Sequence, residues 1–184
     1  MPARSRPLIA ALGLAAAASL VLVTAPASAA KPDHGWPHPD LKRAYDATVK
    51  YKSEQAAIAD GYVRTNECVE DPKLGGMGFH YFHVGRNGLP DQFGTNPQKP
   101  AALVYAEDHK GGERKLVALE YIVPNTGQPT APQLFGKSFD GPEVVPGVGS
   151  IYSLHAWIFK KNPKGVLTPY NPRVECCDEE KPKS

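Results

Sequence analysis

The chain has 184 residues, 41% of them hydrophobic and 22% charged, with three cysteines and a formal net charge of +2 at pH 7. Its 21 Lys and Arg include Arg4 and Arg6 in a start that carries no acidic residue, so the chain beyond the first thirty residues has 19 side chains of each sign. That balance, with no clustered basic patch, argues against nucleic acid or an anionic membrane as partner, and Lys160-Lys161 and Lys181-Pro182-Lys183 read as solvated turn and tail.

Residues 1–30 read as a secretory signal peptide. Arg4 and Arg6 precede an apolar stretch from Leu8 to about Val23, and the ending Ala27-Ser28-Ala29-Ala30 places cleavage after Ala29 or Ala30. The apolar core falls short of the ~20 residues that span a bilayer, and no later segment could span one. The expected mature protein is therefore exported, to the cell envelope or beyond, and is long enough for one domain with a real core.

The mature N-terminus, 31–38, is rich in Pro and His and reads as flexible. From Asp40 to Asp60 the residues Ala44, Ala47, Tyr51 and Ile58 fall at helical spacing, with Pro39 and Asp40 suited to a helix start and Gly61 to its end. One helix is predicted, its polar face of Lys42, Asp46, Lys50 and Glu54 turned to solvent. After Cys68 short β-rich runs alternate with turn residues, which predicts strands over 78–84, 102–107, 115–123 and 151–159 and a further short one over 166–170. Asp108 to Gly112 reads as a hairpin turn. The segment from Asn125 to Ser150, with its Pro and Gly around Leu134-Phe135 and Phe139, reads as an ordered lid or binding loop. These elements predict an α+β fold, one N-terminal helix packed on a small antiparallel, barrel-like or strongly curved β-sheet with long loops. A single globular domain is expected over 39–177, with a flexible tail over 178–184.

Glu120 interrupts the apolar run Leu116-Val117-Ala118-Leu119-Glu120-Tyr121-Ile122-Val123. Alternation places it on the face of Leu116, Ala118 and Ile122, where a core is expected. A buried carboxylate needs a cation, a proton or hydrogen-bond donors. His80 and His155, in strand-like runs of the same kind, are the candidate partners. His83 points to the opposite face from His80, and Gly75, Gly76 and Gly78 leave room beside His80 for a ligand.

His80, Glu120 and His155 make a ligand set for a divalent metal, with Zn²⁺, Fe²⁺, Mn²⁺ and Cu²⁺ all admissible. Glu120 and His155 also form a proton-transfer pair that needs no metal. The ligand types are similar to those of cupins, yet His-x-x-His stands where cupins carry His-x-His, so the likeness stops at ligand type. Tyr81, and Trp157 on the face of His155, are expected to shape a pocket for a small-molecule ligand. Against this stands a non-enzymatic module for an aromatic or carbohydrate ligand, its His/Glu network purely structural, or a cell-envelope interaction protein. A nucleotide loop and a serine-hydrolase elbow are absent: Gly75-Gly76-Met77-Gly78 lacks the following Lys-Ser/Thr, and no Gly-x-Ser-x-Gly occurs.

An exported chain with Cys68, Cys176 and Cys177 is expected to hold a disulfide. Joining Cys68 to the C-terminal pair closes a loop that the chain-entropy model values at about 4 to 5 kcal/mol. Cys176 is the chosen partner, with Cys177 and a vicinal Cys176-Cys177 bridge as alternatives.

The motifs Gly76-Met77-Gly78-Phe79-His80-Tyr81, Glu120-Tyr121-Ile122-Val123-Pro124, Leu154-His155-Ala156-Trp157, Asn162-Pro163-x-Gly165 and Asn171-Pro172-x-Val174-x-Cys176 form a specific set. Through them the chain resembles an uncharacterised family of small exported bacterial proteins over nearly all of its mature length. The resemblance implies a shared site of His80, Glu120, His155 and Trp157 and a Cys68–Cys176 bridge. It supplies no activity, and it leaves out His83, where the family pattern has Asn.

Overall fold

The computed structural model describes residues 35–109 and 111–176. Helix α1 (Pro39–Thr48) has Pro39 in its first turn, and the His38 ring accepts the Asp40 backbone N–H. The helical run continues as a 3₁₀ turn over Val49–Lys52. Ser53 is extended and its hydroxyl caps the Ala56 N–H, opening a separate helix α2 (Glu54–Ala59). The helix expected over 40–60 is thus broken at an N-cap residue, and it ends at Gly61, whose φ is +97°. Trp36 packs on Tyr45 with ring centroids 5.3 Å apart. The segment expected to be flexible over 31–38 is therefore packed on the fold at its end, whereas residues 31–34 lie outside the described residues.

Among the described residues nine strands follow: β1 (Tyr62–Val63), β2 (Cys68–Asp71), β3 (Gly75–His83), β4 (Ala102–Ala106), β5 (Lys115–Pro124), β6 (Gln133–Leu134), β7 (Lys137–Ser138), β8 (Asp140–Val145) and β9 (Gly149–Ala156). β6 and β7 form a small hairpin. The other seven build one antiparallel sheet in the order β1-β3-β4-β5-β9-β8, with β2 also paired to β3. The fold is α+β with an open sheet, and its opposite edges approach one another, since residues of β2 and β8 line one cavity. The four longer predicted strands are β3, β4, β5 and β9. No strand forms over 166–170, and β9 stops at Ala156 because the Trp157 N–H turns to the Val166 carbonyl at 2.8 Å.

The sheet has two unequal faces. Leu41, Ala44 and Tyr51 of the helical run pack on Tyr81, Leu103, Tyr105, Leu119, Tyr121 and Leu154, which form the main core. Glu120 lies on the other face, with two smaller clusters, one around Val104, Ala118 and Trp157 and one of Ala101, Ile122 and Ile151. Leu116 was expected beside Glu120, but the β4–β5 register shifts between Val104 and Tyr105. The shift sends Leu116 to the main core and Val117 to the face of Ala118.

The C-terminal segment is strapped to β3. The Gly76 N–H donates to the Val174 carbonyl at 2.7 Å, and a Cβ at Gly76 would lie 2.8 Å from the Val174 side chain. Cys68 and Cys176, 108 residues apart, form a disulfide, and Cys177 lies outside the described residues. Among the described residues no helix is long and apolar enough to cross a membrane.

Candidate metal centre

β3, β5 and β9 each send a titratable side chain to the face away from the helices, and β9 adds Ser153. Glu120 and His155 stand directly opposite each other across the β5–β9 pair. His80 reaches them over β4, where Ala102, the partner of Glu120, contributes only a methyl group to the gap. His80, Glu120 and His155 are 9%, 6% and 1% exposed, so all three have left bulk water.

His80 Nε2 lies 3.2 Å from His155 Nε2 and 3.7 Å from Glu120 Oε2, and His155 Nε2 lies 4.0 Å from Glu120 Oε1. The carboxylate contacts are longer than hydrogen bonds, and the carboxylate takes no hydrogen bond from any described residue. No described side-chain N or O atom that is fully shut off from solvent lacks a partner, so the Glu120 oxygens keep access to the adjoining cavity.

Burial pushes the Glu120 carboxyl up to about 8, reinforced by the charge of Glu143. Burial lowers His80 to about 4, opposed by a backbone hydrogen bond at Gly78. Burial, with the positive fields of His80 and Lys137, takes His155 well below the ordinary histidine range. Without a further charge the cluster is neutral near pH 7, one protonated carboxyl facing two neutral imidazoles.

The donor set fits a divalent ion. Bonds of about 2.0–2.2 Å to His nitrogen and carboxylate oxygen put neighbouring tetrahedral ligands ~3.3–3.6 Å apart, and the three observed separations bracket that spacing. Two histidines and one carboxylate can hold a metal while leaving a coordination position open.

The three side chains line a cavity of about 340 Å³. Its walls include Val69, Phe82, Ile122, Val145 and Val148, and its polar lining includes Glu67, Glu143, Ser153 and Tyr170. Neither Tyr81 nor Trp157 lines it. Tyr81 is fully buried in the main core, where Arg114 Nη1 donates to its hydroxyl at 2.7 Å, because strand alternation turns it away from His80. Trp157 is buried behind His155, its ring roughly parallel with centroids 6.3 Å apart and its Nε1–H donating to the Thr168 carbonyl. It does not line the cavity. His83 also points away and pairs with Asp91.

The segment from Asn125 to Ser150 divides between the two faces. Its Leu134, Phe135 and Phe139 belong to the main core, and only β8 and the turn after it, with Val145, Pro146 and Val148, reach the cavity. Glu143 had no signal in the sequence, where it is one acidic residue in a loop-like stretch. Its place follows from the β8–β9 pairing, through which it accepts a hydrogen bond from Ser153 at 3.2 Å.

Fold and site together define an α+β protein with a buried His₂Glu cluster in the wall of a largely apolar cavity. Comparison of the chain with protein-family models, with curated proteins and with solved structures finds no match.

Proposed function

We propose that this is an exported protein in which His80, Glu120 and His155 hold a divalent metal ion and act on, or bind, a small molecule in the adjoining cavity. The Glu120 carboxylate carries the reading: it is buried, faces two imidazole nitrogens at 3.7 and 4.0 Å, and is hydrogen-bonded by neither. A purely structural pair would close to about 2.8 Å. The donor set admits Zn²⁺, Fe²⁺, Mn²⁺ and Cu²⁺. When bound, such an ion supplies Lewis acidity and brings the pKa of a coordinated water to about 7 in the case of zinc. The protein's own part is to hold three ligands on neighbouring strands, to keep bulk water out with the apolar walls, and to offer Glu143 as an acceptor at the opening.

A second reading is metal-free acid/base chemistry by Glu120 and His155, supported by their 4.0 Å separation, which one water can bridge. The non-enzymatic aromatic or carbohydrate cleft has less support, since Tyr81, Tyr105 and Tyr121 are spent in the main core. Export is supported by the signal-like sequence of residues 1–30 and by the Cys68–Cys176 disulfide. The motifs through which the chain resembles a family of exported bacterial proteins contain all three site residues, which supports reading them as one site.

The test is metal analysis by inductively coupled plasma mass spectrometry, on protein produced in an oxidising compartment and purified without chelator or histidine tag. Near-stoichiometric metal is expected in the wild type and none in folded Glu120→Gln. Wild-type protein that is metal-free and fails to take up Zn²⁺, Mn²⁺, Cu²⁺ or anaerobic Fe²⁺ would refute the metal reading.

A further inference from the structure

The cavity beside the His80/Glu120/His155 cluster has a charge pattern of its own. Its lining includes two carboxylates beyond Glu120, namely Glu67 and Glu143, and among the described lining residues there is no Lys or Arg. Glu67 precedes β2 and Glu143 lies on β8, at opposite ends of the sheet order, so curvature brings one acidic side chain to the opening from each edge. Lys137, whose field reaches His155, is tied to Asp140 and to the Leu167 carbonyl and does not line the cavity. An anion entering here meets carboxylates with no cation from the walls to offset them. A cation meets complementary charge and two aromatic side chains, Phe82 and Tyr170. The remaining walls are mostly aliphatic, with the hydroxyls of Thr65 and Ser153 among them, and about 340 Å³ sits at the small end of small-molecule sites, which run from about 300 to 1,000 Å³.

We propose that this cavity takes a small molecule with an ammonium-type cationic head and a short apolar body, held between Glu67 and Glu143. The inference rests on the reading of this cavity as the functional site and adds the class of ligand. It does not depend on which metal, if any, joins the three buried side chains.

The experiment is calorimetric titration of the full-length exported protein, chelator-treated, at pH 7, with three probes of similar length: hexyltrimethylammonium, 1-heptanol and heptanoate. A quaternary head cannot ligate a metal, so its binding reports the carboxylates. The cation is expected to bind at least tenfold more tightly than the alcohol, with heptanoate weakest. In the Glu67→Gln/Glu143→Gln double variant, whose substituted side chains are exposed, the cation's affinity should drop tenfold or more while that of the alcohol stays within twofold. Heptanoate binding as well as the cation, no binding by any probe, or an unchanged cation affinity in the double variant would each overturn the proposal. Metal content measured on the same preparations before chelator treatment keeps the two readings apart. Cation preference in a wild type that holds no metal strikes only the metal reading, and metal retained without cation preference strikes only this one.

Discussion

Glu120 occupies a position where its charge is costly, and that cost should show in the pH dependence of stability. In the metal-free protein Glu120 is raised from 4.5 to about 8, so between those values the unfolded chain has lost a proton that the folded chain keeps, and stability falls as pH rises. His80 is lowered from 6.5 to about 4 and His155 shifts the same way, so below 6.5 the unfolded chain holds protons that the folded chain lacks, and stability rises with pH. Two imidazoles outweigh one carboxyl below pH 6.5. The melting temperature of chelator-treated protein should therefore peak near pH 6.5 and decline toward pH 8, and Glu120→Gln should abolish the alkaline decline. An identical profile in the variant would contradict the assignment. Metal binding must displace the Glu120 proton, so Zn²⁺ affinity, read by chelator competition, should rise about tenfold per pH unit from 6.5 to 8 and level off above. A flat dependence would remove Glu120 from the ligand set.

At the scale of the element, β3 carries the site through its glycines. Gly78 has φ +108°, and a Cβ there would lie 2.4 Å from the Tyr105 carbonyl oxygen, a backbone atom of β4 that cannot swing aside. Gly78→Ala should cost about 2 kcal/mol or more, measured by urea denaturation, and should lower metal retention because His80 is two residues away. An unchanged urea midpoint would show that β3 and β4 tolerate separation at this point. The strand periods of β3, β4, β5 and β9 were legible because hydrophobic alternation is local. The break at Ser53, the register shift at Val117 and the end of β9 at Ala156 were not, since each depends on which backbone partner wins: a capping hydroxyl, a shifted β4, or the Val166 carbonyl.

At the scale of the whole molecule, the Cys68–Cys176 bridge ties β2 to the C-terminal segment across 108 residues. Cys68→Ser is the informative variant, because it leaves no cysteine on β2 for Cys177 to capture. It should lower stability by about 2–5 kcal/mol in denaturant titration. Metal content should persist, because Asn171 and Val174 remain hydrogen-bonded to Gly76 without the bridge. Loss of metal in a folded Cys68→Ser protein would mean that the strap itself maintains the site.

The sequence by itself determined which side chains share a strand face wherever no register shift intervenes, and that Glu120, His80 and His155 lie in runs otherwise built for burial, because alternation is set by the backbone one residue at a time. It also marked Cys68 and Cys176 as partners through motif resemblance. Only the tertiary structure decided that the helices cover the face opposite Glu120, that Tyr81 belongs to that core, and that Trp157 backs His155 instead of facing a ligand. The same holds for Glu67 and Glu143, which reach one opening only because a curved sheet brings its two edges together. Strand order, curvature and the choice of covered face are settled by contacts between residues far apart in the chain, and no local period records them.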